Sequence, residues 1–132
     1  MIKYNNKVYN KVLYKVSFGE YLVHQNGKKR IGKSPYITFK FDDFKLSLEL
    51  VYDKEWIKEL KINDKKEISN YLTDIVYRDN TGWISLICGK YKCYLERINN
   101  DDYVLDFWCN TVDDEEEFHI LLNEKIKFKE AR

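Results

Sequence analysis

The stretch "YITFKFDDFKLSLEL", residues 36–50, has the clearest alternation of apolar and polar side chains in the chain. Every second residue from Ile37 to Phe41 is apolar, and the pattern resumes after Asp42-Asp43. Successive side chains of a β-strand point to opposite faces of the sheet, so this spacing predicts two strands that share one buried face. The two aspartates between them are predicted to form the turn of the hairpin.

The second half of the chain has the same pattern and predicts a meander of five antiparallel strands. Glycine in the first position of a two-residue loop favours a tight hairpin, so Gly89-Lys90 is predicted to join two of these strands. A loop over 99–101 is predicted to pair Leu95 with Leu105, which places apolar residues opposite one another. The predicted strands are residues 73–78, 83–88, 91–98, 103–110 and 117–128.

The remaining segments are less regular. Residues 10–29 predict one or two strands, with Gly19 at a bend or bulge and Asn26-Gly27 at a turn. Residues 53–72 fit either a short helix capped by Asp53 or a small hairpin. We therefore expect residues 1–132 to form a single-domain, all-β antiparallel meander of about eight to ten strands. We expect it to be curled into a barrel or a strongly bent sheet, with at most one short helix.

Composition excludes several classes of protein. The chain has 132 residues, of which 44% are hydrophobic and 16% aromatic, so a disordered chain is excluded. A formal net charge of +1 argues against a nucleic-acid-binding protein, because such domains are usually strongly basic. No apolar run is long enough to span a membrane. The excess of lysine over arginine, 19 against 4, is typical of a low-GC bacterium or its phage.

The three cysteines are predicted to be core residues. On the predicted register Cys88, Cys93 and Cys109 share the apolar face but do not converge on one point, so neither a disulfide nor a metal site is expected. An odd number of cysteines without an export signal favours a reducing cytoplasm. We expect no metal, no cofactor and no catalytic residue, since no motif for any of them is present.

The opposite face of the meander is the candidate binding surface. Trp83, Tyr94 and Trp108 are predicted to point away from the cysteine face, beside charged residues such as Arg78. Aromatic side chains with charged neighbours are typical of protein interfaces, although a second layer of structure would turn the same face into core. The acidic run that follows adds a second candidate contact, at Asp113, Asp114 and Glu115.

These features favour a non-enzymatic, cytoplasmic protein that binds and inhibits another protein. Toxin-immunity proteins and inhibitors of defence effectors are the expected type, and a homodimer through a sheet edge is left open. One alternative is a β-barrel that carries a small hydrophobic ligand inside it. Another is an enzyme, which would need a cleft that joins His119 to a carboxylate.

Overall fold

A computed structural model describes residues 1–87 and 89–129. The described chain is built almost entirely from β-strands, with one short α-helix and one turn of 3-10 helix at Ser69–Tyr71. In chain order the elements are β1 (Ile2–Tyr4), β2 (Lys7–Tyr9), β3 (Leu13–Gln25), β4 (Lys28–Phe41), β5 (Phe44–Leu50), α1 (Lys54–Glu59), β6 (Lys65–Glu67), β7 (Leu72–Asp79), β8 (Gly82–Ser85), β9 (Lys90–Arg97), β10 (Tyr103–Asp113) and β11 (Glu116–Ile126).

The strands form two antiparallel sheets. The six-stranded sheet has the order β2-β1-β11-β10-β9-β6, and the five-stranded sheet has the order β3-β4-β5-β7-β8. The all-β, antiparallel prediction is therefore confirmed. The predicted barrel or strongly bent sheet is not confirmed, because within residues 1–87 and 89–129 neither sheet closes on itself. None of the described helices has the length and apolar composition needed to cross a membrane.

Several predicted strand pairs are confirmed. Phe41 lies opposite Phe44 across the Asp42-Asp43 turn. The β9–β10 pair has the predicted register, with Leu95 opposite Leu105. Asn26 and Gly27 have φ angles of 53° and 73°, the left-handed conformation of a tight hairpin turn between β3 and β4. The hydrophobic alternation therefore specified these registers correctly, since a shift by one residue would expose the apolar face.

The predicted hairpin at Gly89-Lys90 is wrong. Among the described strands β8 pairs with β7 and not with β9, and the Leu86 N–H donates to the Ile75 carbonyl at 2.7 Å. The chain then crosses from the five-stranded to the six-stranded sheet before β9 begins. At the crossing Gly89 lies against β10, where an added Cβ would come within 2.3 Å of the Thr111 Cβ. Glycine is therefore needed here for its close packing against β10.

Two local predictions in the first half also need correction. β3 and β4 pair without a register shift through Gly19, so no bulge is present there. The ambiguous segment 53–72 contains both a helix and a strand: α1 begins after Asp53, and β6 pairs with β9 instead of forming a hairpin of its own.

The core lies between the two sheets. Aromatic rings join them: Tyr77 of β7 stacks on Tyr4 of β1 with ring centroids 5.0 Å apart and meets Phe118 of β11 at 5.5 Å. Phe39, Leu48 and the other inward residues of the five-stranded sheet belong to the same buried cluster as those of the six-stranded sheet. The outward faces of both sheets are left for solvent or for partners.

Adjacent leucines on β11 provide a test of this arrangement. Leu122 points inward and is 1% exposed, whereas Leu121 points outward and is 44% exposed. We expect Leu122→Ala to lower the free energy of unfolding by about 2–5 kcal/mol, because it leaves a cavity in the core. Leu121→Ala should lower it by less than about 1 kcal/mol. Urea denaturation of the two variants measures the difference, and equal effects would contradict the two-sheet packing.

Candidate functional site

The predicted aromatic surface is divided between the two sheets. Trp83 lies on β8 opposite Arg78, in the five-stranded sheet, and is 63% exposed. Tyr94 and Trp108 lie on β9 and β10 of the six-stranded sheet, and both are half-buried. The prediction that all three aromatic residues share one sheet face is therefore wrong. The alternation only indicates which residues point outward, and the crossing at Gly89 places them in different sheets.

Trp108 lines a groove on the outward face of the six-stranded sheet. Leu121 is its neighbour across the β10–β11 pair, and Lys3 of β1 is the next residue in the same row. The groove has a volume of about 610 Å³. We call this surface the Trp108 face, and its lining residues are Lys3, Asn5, Asn6, Trp108, Asn110, Glu117, His119, Ile120 and Leu121. The lining therefore combines two outward-facing apolar side chains, Trp108 and Leu121, and the buried Ile120 with polar residues.

The polar rim is held in place by its own hydrogen bonds. His119 contacts the Asn110 Oδ1 through Nδ1 at 2.9 Å and the Glu117 Oε2 through Nε2 at 3.1 Å. Asn5 reaches the same strand from the β1–β2 turn, where its Oδ1 accepts a hydrogen bond from the His119 N–H at 2.9 Å. His119 lies on the same side of the sheet as Trp108. These contacts fix the positions of the side chains that surround the indole ring.

Tyr94 lies on the same sheet face, in a region of paired charges. The Lys65 Nζ lies 5.2 Å from the Tyr94 ring centroid and donates to the Asp106 Oδ2 at 2.9 Å. This hydrogen bond raises the pKa of Lys65. Lys92 pairs with Glu67 at 2.7 Å in the same region. Tyr94 therefore lies beside the Trp108 face, among the ion pairs of Lys65 with Asp106 and Lys92 with Glu67. Exposed ion pairs of this kind contribute little to stability.

The acidic residues Asp113, Asp114 and Glu115 are exposed and lie where β10 turns into β11. Asp114 and Glu115 have φ angles of 49° and 64°, close to those of Asn26 and Gly27 in the β3–β4 turn. Asparagine and glycine are the residues that this left-handed conformation favours. Aspartate also tolerates this conformation, so Asp114 suits its position, whereas Glu115 stands where glycine would be favoured. The turn continues directly into Glu117 of the groove.

The basic residues Lys28, Lys29 and Arg30 follow the β3–β4 turn, and one of them, Arg30, has a structural role. Arg30 forms an ion pair with Asp53, whose side chain is 1% exposed. The carboxylate was expected to cap α1, but it makes no side-chain capping hydrogen bond. A buried carboxylate without a partner is strongly unfavourable, so Arg30 serves to neutralise Asp53. Lys28 and Lys29 remain exposed at the tip of the hairpin.

Cys93 and Cys109 are buried and unbridged, in agreement with the core prediction. Burial raises the pKa of the Cys109 thiol to about 11 and raises that of Cys93 further still. The predicted position of Cys88 lies outside the described residues. Among residues 1–87 and 89–129, no three histidine, cysteine or carboxylate side chains are grouped to hold a metal ion.

Sequence reasoning missed several residues of the groove. Leu121 interrupts the alternation of β11, because it is a leucine on the polar face beside the inward Leu122. This interruption could have indicated an apolar contact surface. Asn5 gave no such signal. It belongs to the β1–β2 hairpin, whose strands of three residues each are too short for a periodic pattern to be recognised.

No family model, curated protein or solved structure matches this chain.

The thiol environments lead to a measurable prediction. Only a thiolate reacts quickly with iodoacetamide, and at pH 8 a thiol with a pKa of about 11 is protonated. Cys93 and Cys109 should therefore remain unmodified in the folded protein and react fully in guanidinium chloride. Mass spectrometry of proteolytic peptides identifies each modified cysteine. Rapid modification of either residue in the native state would show that the core opens at these strands.

Proposed function

We propose that this protein is a non-enzymatic binding protein that captures another protein through the Trp108 face. The observation that carries the proposal is the position of Trp108 and Leu121, side by side in a groove on an outward sheet face. Tryptophan at the centre of a contact surface, surrounded by polar groups, is the arrangement most often found at binding hot spots. The volume of about 610 Å³ accommodates side chains of a partner.

The rigidity of the rim supports this proposal. Association loses free energy when loose side chains must be ordered, so an interface that is already ordered binds more tightly. The contacts of His119 with Asn110 and Glu117, and of Asn5 with the His119 backbone, order these side chains before any partner arrives. They also leave hydrogen-bonding groups at the edge of an apolar centre, as in known interfaces.

The acidic turn indicates the charge of the partner. Five acidic residues, Asp113 to Glu117, lie at the end of the β10–β11 hairpin and run into the groove. Glu115 holds a left-handed backbone conformation that glycine satisfies better, so this acidic residue stands there at a cost in stability. A partner surface with basic side chains beside an apolar anchor would complement this combination.

The two alternatives have less support. A ligand carrier needs an internal cavity, whereas Phe39, Phe41 and Leu48 are fully buried in the cluster between the sheets. An enzyme would use the contact of His119 with Glu117 in the groove, and these side chains are 52% and 69% exposed. The described residues that line the groove include no serine, threonine or cysteine to act as a nucleophile.

The type of binding protein, its location and its source are predictions from the sequence. An immunity protein or an inhibitor of a defence effector, acting in the cytoplasm of a low-GC bacterium or its phage, fits a small protein that works by surface complementarity. A homodimer through a sheet edge would use β3, whose 13 residues form one edge of the five-stranded sheet. Exposed edge strands of this length readily pair with another chain.

Two tryptophan variants test the proposed surface. Trp108→Ala should abolish capture of the partner from a lysate of the organism that encodes the protein, because it removes the centre of the contact. Trp83→Ala is the matched control and should retain the same partner, since Trp83 lies on the other sheet. Affinity purification with mass spectrometry identifies what is bound, and circular dichroism verifies folding. Loss of the partner with Trp83→Ala alone would reject the Trp108 face.

The acidic turn provides a second test. The double variant Asp114→Asn with Glu115→Gly should raise the free energy of unfolding by about 1 kcal/mol, because Asn-Gly tolerates the left-handed backbone. The same variant should weaken partner binding, and the difference from the unmodified protein should shrink as salt is raised. Thermal unfolding and binding titrations measure the two effects. A more stable variant with unchanged binding would remove the acidic turn from the interface.

A further inference from the structure

A second surface site lies away from the Trp108 face, where α1 and the 3-10 turn Ser69–Tyr71 lie beside β6. Three aromatic side chains meet there: Tyr52 after β5, Trp56 in α1 and Tyr71 at the end of the 3-10 turn. Tyr52 is 2% exposed, while Trp56 and Tyr71 are half-buried. Together they line a cavity of about 340 Å³, with Glu59, Leu60 and Lys66 as the remaining lining residues.

The three rings form a concave corner, not a stack. Tyr52 and Tyr71 have centroids 4.8 Å apart and planes inclined at 66°, and Tyr52 and Trp56 are 5.5 Å apart and inclined at 63°. Trp56 and Tyr71 complete the set at 6.1 Å and 59°. Rings inclined in this way do not cover one another's faces fully, and the face of Tyr52 is turned towards Lys66 of the cavity lining. The face of an aromatic ring carries negative electrostatic potential, which attracts cations.

A cation already occupies this corner. The ammonium of Lys66 lies over the Tyr52 ring, with its Nζ 5.5 Å from the ring centroid. Lys66 is otherwise an exposed residue of β6, where it lies opposite Leu95 in the strand pair. Glu59 adds a carboxylate to the lining, so the cavity combines π-faces with one negative charge. This combination is the chemistry by which proteins bind quaternary and methylated ammonium groups.

The backbone holds the corner together. The Val51 N–H donates to the Tyr71 carbonyl at 2.8 Å, which joins the segment before Tyr52 to the 3-10 turn. The Ile68 N–H donates to the Cys93 carbonyl at 2.8 Å, which attaches the same turn to β9. Tyr52 and Tyr71 are therefore fixed relative to the six-stranded sheet, whereas the Lys66 side chain is exposed and is the part that can leave.

We propose that the corner formed by Tyr52, Trp56 and Tyr71 binds an alkylated ammonium group, and that Lys66 occupies it when no ligand is bound. The ligand class is a small organic cation of the choline type, in which a positive charge is surrounded by methyl groups. Such a group packs against the rings as an apolar body and is attracted by their faces and by Glu59. Lys66 competes for the same position, so its removal frees the site.

The probe for this proposal is choline chloride, titrated into the full-length protein labelled with ¹⁵N, with sodium chloride at equal concentration as the reference. We expect chemical-shift changes at the Trp56 indole N–H and at the amides of residues 52 and 71, and none at the Trp108 indole. Lys66→Met should raise the affinity for choline about threefold or more, because a competing cation is lost. Unchanged or weaker binding by this variant would overturn the proposal.

A neutral analogue separates cation binding from simple apolar packing. 3,3-Dimethyl-1-butanol has the shape of choline but carries a carbon atom in place of the charged nitrogen, so it should bind at least about fivefold more weakly. Equal binding of the two molecules would show an apolar cavity only and reject the proposal. Glu59→Gln alters an exposed residue and should leave the fold intact while it weakens choline binding. Trp108→Ala should leave choline binding unchanged.

Discussion

The contact of Tyr77 with the opposite sheet is the interaction on which the rest of the structure depends. Tyr77 is 2% exposed, and its ring meets Tyr4, Phe44 and Phe118. Tyr4 and Phe118 belong to the six-stranded sheet, so this one side chain joins the N-terminal strand and the last strand to the middle of the other sheet. Burial raises the pKa of its hydroxyl, as expected for a phenol enclosed by aromatic rings.

Packing around this contact determines which surfaces are free. Because the inward face of each sheet is filled by the other sheet, function is left to the outward faces and to the two ends of the sandwich. The Trp108 face lies on an outward face, and the corner of Tyr52, Trp56 and Tyr71 lies where α1 packs beside β6. Both candidate sites use aromatic side chains, but the first surrounds them mainly with amides, together with His119 and Glu117, and the second places an exposed lysine over a tyrosine ring.

Much of the fold was predictable because apolar alternation is a local property. The pairs Phe41 with Phe44 and Leu95 with Leu105 followed from it correctly. The predicted pairing of β8 with β9 was wrong, because a strand that turns back and a strand that crosses to the facing sheet both point their apolar residues at the core. Of the candidate site, Trp108, Tyr94 and the acidic turn lie on or beside one face, while Trp83 and Arg78 do not.

The sequence by itself determined the strand class, most hairpin registers and the inward direction of Cys93 and Cys109, since each depends on residues close together in the chain. Only the tertiary structure decided that the meander divides into two sheets, because the six-stranded sheet is completed by pairings between residues distant in sequence, β1 with β11 and β6 with β9. That division separated Trp83 from Trp108. It also brought Asn5, Leu121 and His119 into one groove, which no local pattern specified because their strands meet only through long-range pairing.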